Sequence, residues 1–212
     1  MEGEEGMTTR EKILSKLKAN SAALLKTGSK DDYEMPDFSL IEPVKYTDSL
    51  EKFKETAKRV SGARVEELGE GENLNDLIRR CYPESKVVAS NIKDIEAHLN
   101  PDLVSEGKDL MHVDIGVVKG SFGVAENGCI WIPQTMKERS LCFACEYLVI
   151  LLSKGDIVDN MHEAYNIIEK NPGYFEPYGF GTFISGPSKT ADIESALVYG
   201  AQAARGVTVI LL

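Results

Sequence analysis

The chain has 212 residues, of which 42% are hydrophobic, and a formal net charge of −10 at pH 7. This length predicts one domain with an N-terminal extension, and the acidic balance argues against nucleic acid as a partner, because non-specific binding needs a basic face. No apolar run approaches the roughly 18 residues of a membrane helix, and residues 1–20 are rich in charge, so we expect a cytoplasmic protein with no membrane partner.

The N-terminal part, residues 1–45, is predicted to be a helical arm followed by a linker. Thr8 or Thr9 can cap a helix in which Ile13, Leu14 and Leu17 form one apolar stripe. Such a stripe must dock, either on its own domain or on a second copy of the chain in a homodimer. The linker is predicted at residues 27–43, which contain Gly and two Pro.

Residues 46–212 are predicted to form one α/β domain. A helix is predicted from Asp48 to Gly62, with Phe53 and Val60 on its inner side. It is followed by a strand at 65–68, a helix at 73–81 and a strand at 86–89, and Asn91 or Asp94 is predicted to open a short helix. Alternation of this kind is typical of a parallel sheet with helices on both faces. The predicted fold class is therefore a three-layer α/β/α domain with a mostly parallel sheet.

The middle of the domain contains a turn signal. Residues 114–118 predict a strand, a glycine-bearing segment follows at 119–125, and Glu126-Asn127-Gly128 separates it from the apolar residues 129–132. Asn-Gly between apolar runs favours a β-hairpin. Residues 134–140 predict a short helix, 142–152 the central strand, and 156–170 another helix. Residues 171–179 predict a loop whose three aromatic residues either wall a pocket or pack beneath the loop.

The four cysteines do not predict a metal centre. Cys142 and Cys145 have metal or redox spacing, but their segment is apolar and Cys81 and Cys129 are not placed to complete a ligand set. We expect reduced, packed thiols, no metal ion, and no cofactor held by this chain.

The last stretch predicts a strand, a turn and a helix. Residues 182–184 favour a strand, Gly186-Pro187 breaks it, and Ser188 or Thr190 can cap a helix ending near Gly206, followed by a buried strand at 207–212. A helix N-terminus after a polar turn offers free amides to an anion.

Residues 185–194, Ser-Gly-Pro-Ser-Lys-Thr-Ala-Asp-Ile-Glu, closely resemble the signature of the LUD-domain family. The resemblance implies a fold like that of sugar-phosphate isomerases and coenzyme A transferases. It also implies a lactate-utilization subunit that acts in L-lactate oxidation beside partner proteins, which would hold the iron–sulfur clusters. The chain departs from the family in two places. At residues 200–204 the family has a Gly-Val-His-Gly-Pro-like segment, and at residues 126–129 the family often has Glu-Thr-Gly-Thr where this chain has Glu-Asn-Gly-Cys.

We expect the site where the two turns meet, at the strand ends that bind ligands in open α/β sheets. Glu126 is the candidate catalytic residue, as an acid/base, a nucleophile or a polar contact. A small anionic metabolite is expected to bind at a set of turn residues: Asn127, Gly128, Ser185, Gly186, Ser188, Lys189, Thr190 and Asp192.

Whether the chain is an enzyme stays open at this point. Glu-Asn-Gly resembles the motif of the nucleophilic glutamate of class I coenzyme A transferases, which implies acyl transfer through Glu126. Sugar-phosphate isomerisation would likewise make the chain an enzyme, whereas a ligand-binding or scaffolding subunit would be non-catalytic.

Overall fold

The computed structural model describes residues 8–27, 42–191 and 197–212. The chain divides into two units, Met1–Glu42 and Pro43–Leu212. In the first unit, helix α1 spans Thr9–Thr27. Thr8 is its N-cap, because the Glu11 amide donates to the Thr8 hydroxyl at 3.4 Å and the Thr8 amide donates to the Glu11 carboxylate at 2.7 Å. Residues 28–41 of the predicted linker lie outside the described residues, and the docking of the helix stays a prediction.

The second unit contains the remaining elements. Its helices are α2 (Ser49–Thr56), which continues as a π-helical turn (Ala57–Ser61), α3 (Leu74–Cys81), α4 (Leu141–Ala144) and α5 (Met161–Lys170), with 3₁₀ turns at Gly107–Leu110 and Pro172–Phe175. Its strands are β1 (Arg64–Glu67), β2 (Val88–Ala89), β3 (Ile115–Lys119), β4 (Phe122–Val124), β5 (Ile130–Pro133), β6 (Tyr147–Leu152), β7 (Ile157–Val158), β8 (Gly181–Ile184), β9 (Lys189–Ala191), β10 (Leu197–Tyr199) and β11 (Gly206–Leu211).

The main sheet is parallel throughout, in the order β1-β11-β6-β3-β2. The strand predicted to be most hydrophobic is its centre, although β6 begins only at Tyr147, because residues 141–144 form α4. On one face of the sheet, Leu148 and Ile150 pack with Phe53 of α2; on the other, Val149 and Leu151 pack with residues of α3. This alternation confirms the predicted α/β fold with a mostly parallel sheet, and each such buried side chain contributes about 1.5–3 kcal/mol.

A second sheet, in the order β7-β4-β5-β8, lies between the main core and α5. Ile130 and Ile132 of β5 face the main core, whereas Trp131 packs in a separate cluster with Ala164 and Ile168 of α5. The predicted hairpin at residues 126–128 is present, because β4 and β5 pair antiparallel across it.

The predicted aromatic loop packs onto this second sheet. Tyr174 contacts Phe122 edge to face with ring centroids 5.8 Å apart, and Phe175 contacts Trp131 in the same way at 5.7 Å. Two of the three loop aromatics therefore pack beneath the loop, as one of the two predictions for this segment expected.

Side-chain caps explain several helix boundaries. Asp48 and Asn73 accept hydrogen bonds from the amides of Glu51 and Asn75, and Gly62, with φ 75°, ends the helix that runs through α2 and the π-helical turn.

Four local predictions were wrong. Val60, predicted to face inward, is 69% exposed, because the π-helical turn shifts the helical phase after α2. Residues following Asn91 form turns, residues 134–140 are not helical, and α5 begins at Met161 because residues 157–158 pair with β4 as strand β7.

The predicted last helix is also wrong. Its described residues form β9 and β10, which pair antiparallel with Lys189 opposite Tyr199. Residues 192–196, including Asp192, lie outside the described residues. The final strand β11 is present as predicted. Across the described ranges, no helix combines the length and apolar character required to cross a bilayer.

Candidate functional site

The structure brings the two predicted turns together at the end of the π-helical turn. The Asn127 carbonyl accepts from the Ser61 hydroxyl at 2.9 Å and lies 3.2 Å from the Ser185 hydroxyl. The two hydroxyl oxygens are 2.7 Å apart. Since each hydroxyl has one proton, one of them donates to the carbonyl while the other donates to its neighbour, which joins three distant segments.

Glycines let these segments approach so closely. Gly128 has φ 68°, and a Cβ there would lie 2.7 Å from the Ala57 amide nitrogen. Gly186 has φ 69°, and a Cβ there would overlap the Ser61 carbonyl. Both positions therefore require glycine, for backbone conformation and for space.

Lys189 reaches the same helix end. Its ammonium donates to the Ser61 carbonyl at 2.6 Å and to the Val60 carbonyl at 3.3 Å. These are carbonyls of the last helical turn, where a cation is favourable. Because an ammonium has three N–H donors and the described residues offer this exposed lysine two acceptors, one donor can bind a ligand.

The expected anion site at a helix N-terminus is absent from the described part of the segment, because β9 occupies its place. The Ser188 amide donates to the Ala204 carbonyl at 2.9 Å, and Thr190 pairs with Val198 of β10. Among the residues that the structure describes, however, the amides of Ser185 and Gly186 donate to no protein acceptor. Amide donors for an anion are thus left in the turn that precedes β9.

A cavity of about 410 Å³, here called the signature cavity, adjoins these groups. The polar groups at its wall come from Ser185, Ser188, Lys189 and Gln202. Its other walls come from the end of β8 (Phe183), the first residues of β6 (Leu148) and β11 (Val207), and α4 (Cys142 and Phe143). The loop before β11 adds Ala203 and Ala204. The cavity therefore lies at the amino ends of β6 and β11, not at the carboxyl ends of the main sheet.

Glu126 is placed to cap α5 and does not line the signature cavity. Its carboxylate accepts from the Met161 amide at 2.9 Å, and its own amide donates to the Asp159 carbonyl at 2.9 Å. A carboxylate at a helix N-terminus is stabilising. Acyl transfer through Glu126 stays a prediction. The Asn127 side chain accepts from the Cys129 amide at 3.1 Å and so stabilises the turn itself.

The four cysteines are buried free thiols, as expected for packed core residues. Burial raises the pKa of Cys142 to about 12 and the pKa of Cys145 to about 11. Cys142 lines the signature cavity as a protonated thiol, which is not a nucleophile at neutral pH.

Sequence reasoning missed Ser61, at which these segments meet. Its partners Asn127 and Ser185 are 66 and 124 positions away, so no local pattern could single it out. The glycine at position 62, which ends the helix, was the one local indication that a chain reversal follows.

The fold is similar to that of a solved DUF162 family protein from Deinococcus radiodurans. The TM-score is 0.59, and the match covers 80% of this chain and 99% of the other at 15% identity, a likeness of fold alone.

The family is identified from the sequence match. The LUD domain family model matches residues 93–212, more than half of the chain, so the protein belongs to the LUD domain family. The match includes the hairpin at 126–128 and the signature cavity, but not Ser61.

Two curated relatives are similar over part of their length. Lactate utilization protein C of Shouchella clausii (strain KSM-K16) is 32% identical over 88 residues, which are 41% of this chain and 38% of that protein. Uncharacterized protein YkgG of Escherichia coli (strain K12) is 28% identical over 150 residues, which are 66% of this chain and 56% of that protein. The chain thus spans less than two thirds of the length of either relative.

Proposed function

We propose that this protein is a lactate-utilization component that binds a small carboxylate, L-lactate, in the signature cavity. Membership of the LUD domain family and the similarity to a lactate utilization protein support the pathway. The observation that carries the binding proposal is the pair of amides at Ser185 and Gly186 that lack a protein acceptor among the described residues, beside the cavity.

The chemistry of the cavity suits a small hydroxy acid. A carboxylate can accept hydrogen bonds from the two amides and from the remaining N–H of Lys189, and bonds to charged groups contribute about 1.5–3 kcal/mol each. The Ser188 hydroxyl can bind the ligand hydroxyl. Ile184, which is partly exposed at the cavity wall, offers an apolar contact to the methyl group of the acid.

Within this proposal the chain acts in L-lactate oxidation beside iron–sulfur partner proteins. The partners would carry the electrons, since the thiols of this chain are buried and protonated. Affinity capture of the intact protein with iron–sulfur subunits from cells grown on lactate tests this part. The expected result is co-purification, and recovery of the chain alone would contradict it.

Binding is tested by calorimetric titration of L-lactate into the wild type and the Ser188→Ala variant. Loss of one hydroxyl contact is expected to weaken binding about two- to tenfold, because a neutral hydrogen bond contributes about 0.5–1.5 kcal/mol. Ser85→Ala, which removes an equally half-buried serine after α3, is the matched control and should bind as the wild type does. Absence of a binding signal with the wild type would refute the proposed ligand, and equal affinities of wild type and Ser188→Ala would refute the proposed contact.

A further inference from the structure

A second cavity adjoins the signature cavity. It has a volume of about 480 Å³ and is here called the distal cavity. The two cavities share three wall residues, Phe143, Gln202 and Ala203. Together they flank the end of α4 and the loop before β11.

The distal cavity contains hydrogen-bond donors. Arg205 uses one guanidinium nitrogen on Glu146 at 3.0 Å, and the guanidinium carbon lies 5.7 Å from the Tyr147 ring centroid. Because a guanidinium has five N–H donors, several have no acceptor within the described ranges and can bind a ligand. His112 also lines the cavity and is exposed.

The acidic groups of the distal cavity are engaged with the protein itself. Asp114 accepts from the amides of Val87 and Lys86 at 2.8 and 2.6 Å, and these bonds hold the pKa of its carboxyl below the usual range. Glu146 is paired with Arg205. Glu146 is therefore paired with a cation, whereas Asp114 stays ionised, so the distal cavity is not the place for the anionic group of a ligand.

Phe143 lies between the two cavities with 40% of its surface exposed. A phenyl ring in such a position offers a flat apolar surface to a planar group. Aromatic side chains of this kind stack on planar bases in nucleic-acid sites. The ring is thus a natural contact for the middle part of a ligand that reaches from one cavity to the other.

We infer that the cleft formed by both cavities accepts an anion of nucleotide size with a planar ring, in addition to small carboxylates. Cavities of about 300–1,000 Å³ hold drug-sized molecules, which are much larger than a three-carbon acid. The anionic group binds at Ser185 and Gly186, the ring covers Phe143, and the polar edge of the ring reaches Arg205 in the distal cavity. The placement of the anionic end rests on the proposed function.

ADP is the probe that tests this inference, with adenosine, inorganic phosphate and L-lactate as its comparison ligands. Calorimetric titration of the full chain should show tighter binding of ADP than of adenosine or phosphate. Phe143→Leu keeps an apolar side chain but removes the ring, and it should weaken ADP binding about tenfold. Phe175→Leu is the control, because Phe175 is 38% exposed and lines neither cavity.

Two further measurements complete the test. Arg205→Gln should weaken ADP binding and leave L-lactate binding unchanged. The fluorescence of Trp131, which is buried, checks that each variant is folded.

The outcomes separate this inference from the proposed function. If L-lactate binds and ADP does not, or if Phe143→Leu leaves ADP affinity unchanged, the inference is overturned and the proposed function stands. If ADP binds as described and L-lactate does not, the cleft is as inferred and the lactate proposal fails. Absence of binding by both ligands overturns both.

Discussion

Gly186→Ala is the substitution that tests most sharply how the signature segment is held. Gly186 has φ 69°, and a Cβ there would overlap the carbonyl of Ser61 and lie 2.7 Å from its carbonyl carbon. A methyl group at this position must therefore push the turn away from the end of the π-helical turn.

The expected loss has two parts. An alanine in the left-handed region costs about 1–2 kcal/mol. Forcing a methyl group into a filled space typically costs about 1–3 kcal/mol more. Gly186→Ala should thus lower the free energy of unfolding by about 2–5 kcal/mol.

Gly179→Ala is the matched control. Gly179 also has φ 69°, but a Cβ there would have no atom within 4 Å among its surroundings. It should show the conformational cost of about 1–2 kcal/mol without the cost of overlap. The difference between the two variants therefore isolates the contact with Ser61.

The assay is urea unfolding followed by the fluorescence of Trp131, the single tryptophan of the chain, which is 5% exposed. The urea midpoint of Gly186→Ala should lie well below that of Gly179→Ala at similar slopes. Equal midpoints would show that the turn does not press on Ser61, and the reasoning about the meeting of the segments would be refuted.

Three other predictions concern Lys189, the buried thiols of Cys142 and Cys145, and Asp114. Lys189→Met should lower the free energy of unfolding by about 1–2 kcal/mol, because the ammonium bond to the Ser61 carbonyl is lost. Lys189→Arg should lower the free energy of unfolding by less, and equal urea midpoints for the two variants would contradict this role of Lys189. Burial raises the pKa values of Cys142 and Cys145 to about 12 and 11. Both thiols should therefore react with a thiol reagent at pH 8 far more slowly in the native protein than in denaturant, and rapid labelling of the native protein would refute their burial. The pKa of Asp114 in the folded protein is lowered from its ordinary value of 3.8, so the stability that its carboxylate contributes is present above pH 3.8 and is lost as the pH falls through the folded-state pKa. The free energy of unfolding of Asp114→Asn should therefore depend less on pH below 3.8 than that of the wild type, and parallel pH profiles of the two would contradict this role of Asp114.

Much of the fold could be predicted because its signals are local. The apolar run that becomes β6 identified the central strand, and the caps at Asp48 and Asn73 identified the starts of α2 and α3. In such a sheet, burial on both faces produces the apolar run, so the sequence pattern and the packing have the same cause.

The last helix was mispredicted because cap signals outweighed strand propensity. Leu197-Val198-Tyr199 includes a β-branched and an aromatic residue, which favour a strand. The amide of Ser188 pairs with Ala204 and the amide of Gly200 pairs with Ser188, contacts that a helical pattern does not reveal. The sequence located the signature segment but not its conformation.

The candidate site was predictable only in part, because it is formed by contacts between residues that are far apart in the sequence. The expectation that the turns at 126–128 and 185–192 meet came from the general rule that open parallel sheets bind ligands at strand ends, and not from a pattern within either turn. The residue that joins them, Ser61, acts through partners far along the chain, and Lys189 contacts carbonyls 128 and 129 positions away. No local sequence pattern predicts either contact.

The most direct test of the account is the amide NMR spectrum of the isotopically labelled chain during titration with L-lactate. If a carboxylate binds at the amides of Ser185 and Gly186, their signals should shift most, with saturation at the same concentration as in calorimetry. Shifts confined to other regions, or a spectrum that does not change at saturating lactate, would contradict the claim that the signature cavity binds this acid.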